Sequence, residues 1–202
     1  MAEKSCVEIV LVAPPLSWEG SHRMDIKPPM NLLYLASYLA SKDHSVELVD
    51  VRCDDLDLES TITTVTELAP NFLGFPLYQG TEEPTLTLLQ ELKQRAPKIK
   101  MILGGPLATA VPERLARIPE VSAVVVGEGE LALQSILENP MSEWSTLPGI
   151  AFVDDKGDYH CHPDRAVVKD LDGLPHVDYG FVDYAKYVAF QKHLSIPQSV
   201  FM

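Results

Sequence analysis

Basic residues are scarce in this chain: 16 Lys and Arg stand against 29 Asp and Glu, a formal net charge of −13 over 202 residues. Such a surface repels polyanions and no local basic run offsets it, which argues against nucleic acid and acidic membranes as partners. Cysteine is scarcer still. The 3 present, Cys6, Cys53 and Cys161, are too widely and irregularly spaced for a disulfide framework or a Cys-x-x-Cys metal or redox site, leaving buried or half-buried free thiols. Long apolar runs are missing as well. The longest, at 9–15 and 121–126, fall far short of the roughly 20 residues that a membrane-spanning helix needs. No charged-then-apolar leader opens the chain. The expectation is a soluble, cytoplasmic protein of one domain with an appendage, or two small domains.

What is present is an alternation of short apolar runs with helical stripes. Residues 7–13 are apolar except for Glu8 and stop at Pro14-Pro15, as a strand covered on both faces does. The stretch 16–27 is polar and aperiodic, with Trp18, Gly20, His22 and Arg23, and predicts a long loop of the kind that commonly carries function. Leu32, Leu33, Ala36, Leu39 and Ala40 form one helical stripe behind Pro29, a residue suited to a first turn. A second strand at 46–51 has Asp50 near its end. A helix at 59–68 turns Ile62 and Val65 inward, and a third strand at 71–77 contains Gly74 and exits through Pro76, Leu77 and Tyr78.

Thr81 is placed to cap a helix reaching Arg95, with Glu82 and Glu83 at its positive end. The fourth strand starts at Met101 and stops on Gly104-Gly105-Pro106, a permissive loop that lets a bulky group approach the backbone. A short helix is predicted from Pro112. The valine-rich fifth strand, 121–126, exits into Gly127-Glu128-Gly129-Glu130, from which a helix runs to Asn139. Five strands alternating with five helices predict a doubly wound, flavodoxin-like or Rossmann-like parallel sheet. Right-handed crossovers put the exits after Ala13, Leu77, Leu103 and Val126 on one edge, where the binding crevice of such sheets lies.

After Pro140 the pattern changes. Residues 149–153 and 158–162 predict a β-hairpin around Asp155-Lys156-Gly157, followed by a linker with no clear element before 182–192. The expected division is 1–140 for the α/β domain and 141–202 for the hairpin and linker. His160 and His162 share one face of a strand while Cys161 points to the other, so a solvated hairpin edge is expected rather than a metal site.

The exits form a broad, backbone-lined floor with few charges, better suited to a large flat ligand than to a phosphate. Pro14-Pro15 stands where a dinucleotide fold has Gly-x-Gly-x-x-Gly, and no Gly-x-x-x-x-Gly-Lys loop occurs. A phospho-acceptor receiver is disfavoured by the missing acidic pair after the first strand and by Leu77 in place of an aspartate. Fold analogy alone leaves a flavin open.

Several landmarks in order carry a more specific signal. They are Leu11-Val12-Ala13-Pro14-Pro15, Pro28-Pro29-Met30-Asn31-Leu32-Leu33-Tyr34-Leu35-Ala36, Glu47-Leu48-Val49-Asp50, Leu103-Gly104-Gly105-Pro106-Leu107-Ala108-Thr109, Val126-Gly127-Glu128-Gly129-Glu130, and Leu171-Asp172-Gly173-Leu174-Pro175 with Tyr179 following. On these the chain resembles the N-terminal cobalamin (B12)-binding domain of B12-dependent radical SAM enzymes over nearly its whole length. The resemblance implies a cobalamin whose tail passes Gly104 and Gly105, with Pro14, Pro15, His22, Gly74, Phe75, Pro76, Leu77, Tyr78 and Pro106 around it. Gly127, Glu128, Gly129 and Glu130 would close the other side. It further implies a cobalt-carried methyl group and a radical SAM domain, in the same or a separate chain, as partner.

Two departures qualify the match. The Cys-x-x-x-Cys-x-x-Cys cluster loop is absent, so no catalytic residue is expected here; the iron–sulfur cluster and S-adenosylmethionine would belong to the other domain. The Asp-x-His-x-x-Gly motif that supplies a lower histidine ligand is absent after the first strand, leaving His22, water, backbone, or an apolar wall of Leu77 or Tyr78 below the cobalt. The sequence is compatible with a methyltransferase component, a free-standing corrinoid carrier or sensor, and a degenerate scaffold without cofactor.

Overall fold

The computed structural model describes residues 7–19 and 26–193. Cys6, Gly20, His22 and Arg23 therefore lie outside the described residues, and the expectations placed on them go no further. The elements in order are β1 (Ile9–Ala13), α1 (Met30–Ala40), β2 (Val46–Asp50), α2 (Leu58–Glu67), β3 (Phe72–Pro76), α3 (Glu82–Arg95), β4 (Lys100–Gly104), α4 (Pro106–Ala110), α5 (Pro112–Ala116), β5 (Val121–Val125) and α6 (Gly129–Glu138). A 3-10 turn (Met141–Thr146), β6 (Ile150–Val153), β7 (Tyr159–Cys161), a second 3-10 turn (Tyr179–Phe181) and α7 (Tyr184–His193) follow.

The sheet has the order β2-β1-β3-β4-β5-β6-β7. Its first five members are parallel and its last two antiparallel. Chain direction around the sheet reverses between β1 and β3, so the carboxyl ends there flank a topological switch point. The expected hairpin forms and continues this same sheet: β6 pairs with β5 through Val124–Ala151 and Val125–Ile150. That pairing covers the backbone edge that β5 would otherwise expose.

Strand side chains alternate between two cores. Val10, Leu73, Met101, Leu103 and Val124 pack towards α2 and α3, where Ile62, Val65, Leu88, Leu89 and Leu92 are buried. Ile9, Leu11, Ile102, Ala123 and Val125 face α1 and α6, meeting Leu32, Ala36, Leu39, Ala132, Leu133 and Ile136. Trp144 joins this second core with no solvent exposure and packs edge-on to Phe152, ring centroids 5.9 Å apart. Residues beyond 140 thus share the core of the sheet.

Two local expectations are corrected. Thr81 occupies the N-cap position of α3, but its hydroxyl makes no cap hydrogen bond. It instead accepts from the Tyr78 amide at 3.0 Å and donates to the Tyr78 carbonyl at 3.3 Å, closing the turn before the helix. Residues 106–110 form a separate short helix, α4, with Pro106 in its first turn, where the sequence predicts only a loop before Pro112.

The linker crosses the α1 and α6 side of the molecule. Val168 N–H donates to Glu128 Oε2 at 2.7 Å, and Asp178 N–H donates to Ser37 Oγ at 2.8 Å. The chain then reaches the carboxyl end of β2, where α7 lies against Asp50 and Asp54.

Candidate cofactor site

The exits of β3, β4 and β5 are stitched together by backbone hydrogen bonds and by the Thr109 hydroxyl. Leu77 N–H donates to Gly104 O at 2.7 Å, and Leu107 N–H donates to Leu77 O at 3.2 Å. Gly127 N–H donates to Thr109 Oγ1 at 3.0 Å, and Val126 N–H to Gly149 O at 2.8 Å. These bonds hold three loops as one continuous floor at the carboxyl edge.

Between that floor and helices α1 and α6 lies a cavity of about 320 Å³. Of the candidate residues, Gly74, Phe75, Pro76, Tyr78, Gly104, Gly105, Pro106 and Gly127 to Glu130 line it. Leu77 does not. It is fully buried in the core on the α2 and α3 side, because strand alternation turns it away from Pro76. Pro14 lines a neighbouring chamber of about 260 Å³ with Ala13, Lys27, Asp50, Arg52 and Thr81. Asn31, Pro76 and Tyr78 border both spaces, so the two are adjoining parts of one depression. Pro15 is buried and lines neither.

The glycines of the floor have different reasons to be glycine. A Cβ on Gly104 would meet only Val125 Cβ, at 3.7 Å, so a larger side chain there would grow beside the cavity wall rather than into packed protein. Gly105 has φ +94°, and a Cβ on it would lie 3.2 Å from the backbone N and O of Leu77. Its role is conformational. A Cβ on Gly74 would press on Leu11 Cδ2 at 2.8 Å, and one on Gly129 would press on Leu35 Cδ2 at the same distance. Those two positions bring β3 close to β1 and α6 close to α1. Tyr38 Oη, donating to Gln134 Oε1 at 2.6 Å, fastens the same helix pair.

The other cavity walls escaped sequence reasoning. Asn31, Leu32, Tyr34 and Leu35 come from the first turns of α1, and Leu11, Ile102, Val125 and Leu133 form the inner surface. Tyr34 carried a readable signal, since it breaks the apolar stripe of α1 on a flank that faces the strand exits. Burial pushes the Tyr78 phenol above its usual range, so it stays a neutral donor at ordinary pH.

The His160 region behaves as a hairpin edge. His160 Nε2 lies 2.9 Å from Asp154 Oδ2, and its ring stacks on Phe152 at 5.0 Å. Cys161 is exposed, whereas Cys53 is half buried with its thiol pushed up to about 11 by burial. Among the described residues no group of three or more His, Cys, Asp or Glu side chains is placed to hold a metal ion. Among those residues, too, no helix is long and apolar enough to cross a membrane.

A cavity walled by glycine at the carboxyl edge of a doubly wound sheet lies where proteins of this fold class bind their ligands. Residues 24–137 match the family of B12 binding domains. The chain belongs to that family, and its cofactor is cobalamin. It is 27% identical over 187 residues to an uncharacterized methyltransferase of Pyrococcus horikoshii, covering 91% of this chain and 40% of that protein. It is 28% identical over 200 residues to the anaerobic magnesium-protoporphyrin IX monomethyl ester cyclase of Rubrivivax gelatinosus, covering 95% of this chain and 36% of that one.

The chain thus spans well under half the length of these relatives. In fold it is similar to the cobalamin-dependent S-adenosylmethionine radical enzyme OxsB with aqua-cobalamin and S-adenosylmethionine bound. That likeness has a TM-score of 0.78 at 17% identity, over 93% of this chain and 26% of the other. The radical S-adenosylmethionine methyltransferase TsrM of Kitasatospora setae, with cobalamin and a [4Fe-4S] cluster bound, gives a TM-score of 0.59 at 19% identity, over 79% of this chain and 31% of the other.

The residues present fit the tail of such a cofactor. At about 320 Å³ the cavity stands at the low end of the range for small-ligand pockets. That room is of the size that a nucleotide tail needs.

Proposed function

We propose that this chain holds cobalamin for a radical SAM domain, in the same or a separate chain, that performs a methyl transfer. The observation that carries the proposal is the cavity beside Gly104, in a chain whose residues 24–137 match the B12 binding family. Leu11, Ile102, Val125 and Leu133 would enclose the base of the tail, and Gly104 would let the tail pass along β4. Gly127 to Glu130 would close one side, and Pro14, Pro76 and Tyr78 would lie under the corrin. When bound, cobalamin supplies a cobalt centre able to carry a methyl group. This chain's own part is to bind, orient and shield.

Residues 141–202 would lead towards the radical SAM domain. The similarity to both a methyltransferase and a cyclase supports the view that the reaction is set outside this chain. The test is retention of hydroxocobalamin through gel filtration with a shifted visible spectrum, and its loss in Gly104→Val with the circular dichroism unchanged. A colourless wild-type fraction at every cobalamin concentration would leave a scaffold domain as the surviving reading. Full binding without any association with a radical SAM protein would leave a free-standing carrier.

A further inference from the structure

The cavity is polar at its mouth and apolar at its inner end. Its polar side chains, Asn31, Tyr34, Tyr78, Glu128 and Glu130, are exposed or half buried. Tyr34 keeps 48% and Tyr78 41% of its surface in solvent. The inner residues Leu11, Leu32, Ile102, Val125 and Leu133 are at most 5% exposed. Backbone groups give little polarity there. Gly74 and Gly104 are committed to the β1–β3–β4 ladder, and Gly104 O already accepts from Leu77 N–H at 2.7 Å. Glu128 Oε2 at the rim accepts from Val168 N–H at 2.7 Å.

From this we infer that the cavity selects among cobamides by their lower base, accepting a benzimidazole and disfavouring a purine. The inference rests on the reading that the cavity takes the nucleotide tail. A benzimidazole presents a hydrocarbon edge to the inner wall, which Ile102, Val125 and Leu133 satisfy by contact alone. An adenine presents an exocyclic amine and ring nitrogens, each stripped of water and left without a partner. An apolar pocket discriminates modestly, so the expected preference is roughly tenfold to a hundredfold.

The experiment compares dissociation constants for three probes by visible-spectrum titration: cobalamin, the cobamide with adenine as lower base, and cobinamide, which lacks the nucleotide. The expected order is cobalamin tightest, the adenine cobamide roughly ten to a hundred times weaker, and cobinamide weaker than cobalamin. Leu133→Gln, which places an amide on the inner wall, is expected to narrow the ratio between the two cobamides, whereas Leu133→Met leaves it unchanged. Reading the ratio removes any common loss from partial unfolding. Equal binding of cobalamin and the adenine cobamide overturns the inference while cobalamin binding stands. Equal binding of cobalamin and cobinamide also overturns it, because the tail then contributes nothing. Failure of all three to bind overturns the proposed function itself.

Discussion

The hydroxyl of Tyr187 donates to Asp50 Oδ2 at 2.6 Å, joining the last helix to the end of the second strand across 137 residues. Both are buried, Tyr187 at 2% and Asp50 at 6% exposure. Lys186 Nζ reaches Asp54 Oδ1 at 2.6 Å beside them. Asp50 also borders the chamber next to Pro14, so the linker's anchor and the candidate site share a residue.

Tyr187→Phe is expected to cost about 1.5–3 kcal/mol in urea unfolding, the range for a lost hydrogen bond to a charged group. The Arg52 and Cys53 amides, each 3.2 Å from Asp50 Oδ1, keep the carboxylate partly satisfied and favour the lower part of that range. Burial raises the Asp50 carboxyl above the usual carboxylate range, and the Tyr187 bond opposes this in part. With the folded value above the unfolded one, the folded state binds the extra proton. Stability is therefore lost as pH rises from the unfolded carboxylate value of about 3.9 through the folded one. Asp50→Asn does not titrate, so the wild type should lose stability relative to this variant across that window and hold a constant difference above it. Paired denaturation curves from pH 3.5 to 7 measure this; an unchanging difference would refute the assignment.

Gly104 and Gly105 are expected to separate binding from folding. Gly104→Ala should fold with nearly wild-type stability, because its new methyl meets only Val125 at 3.7 Å. Gly105→Ala should lose about 1–3 kcal/mol, because φ +94° with ψ −173° is a conformation essentially reserved for glycine, compounded by the Leu77 backbone at 3.2 Å. Thermal unfolding without ligand gives the second effect and cobalamin titration of Gly104→Val the first.

Trp144→Ala is expected to cost about 3–5 kcal/mol, as for other buried aromatic truncations. Trp144 has no exposed surface, packs against Phe152, and donates from Nε1 to Asn139 O at 3.2 Å. Because it belongs to the core shared with α1 and α6, the loss should appear as one earlier transition of the whole sheet. A separate melting step confined to 141–166 would contradict that placement.

The parallel strands were legible because each is a short, near-continuous apolar run bounded by Pro, Gly or Asp, a local pattern that does not depend on distant partners. The glycine-bearing exits were legible for the same local reason. Thr81 was misassigned because a hydroxyl at a helix start can bond forward or back, and only the turn at Tyr78 decides which. Leu77 was placed with Pro76 at the site although adjacent strand residues point to opposite faces.

The sequence by itself determined the alternation of strands and helices, the acidic surface and the small residues at the strand ends, because these follow from local periodicity and backbone permissiveness. Only the tertiary structure decided that β6 covers the edge of β5, that α1 supplies one wall of the cavity through Asn31, Leu32, Tyr34 and Leu35, and that Tyr187 seals Asp50. Each depends on contacts between segments tens to more than a hundred residues apart, and pairing at that range leaves no local pattern to read.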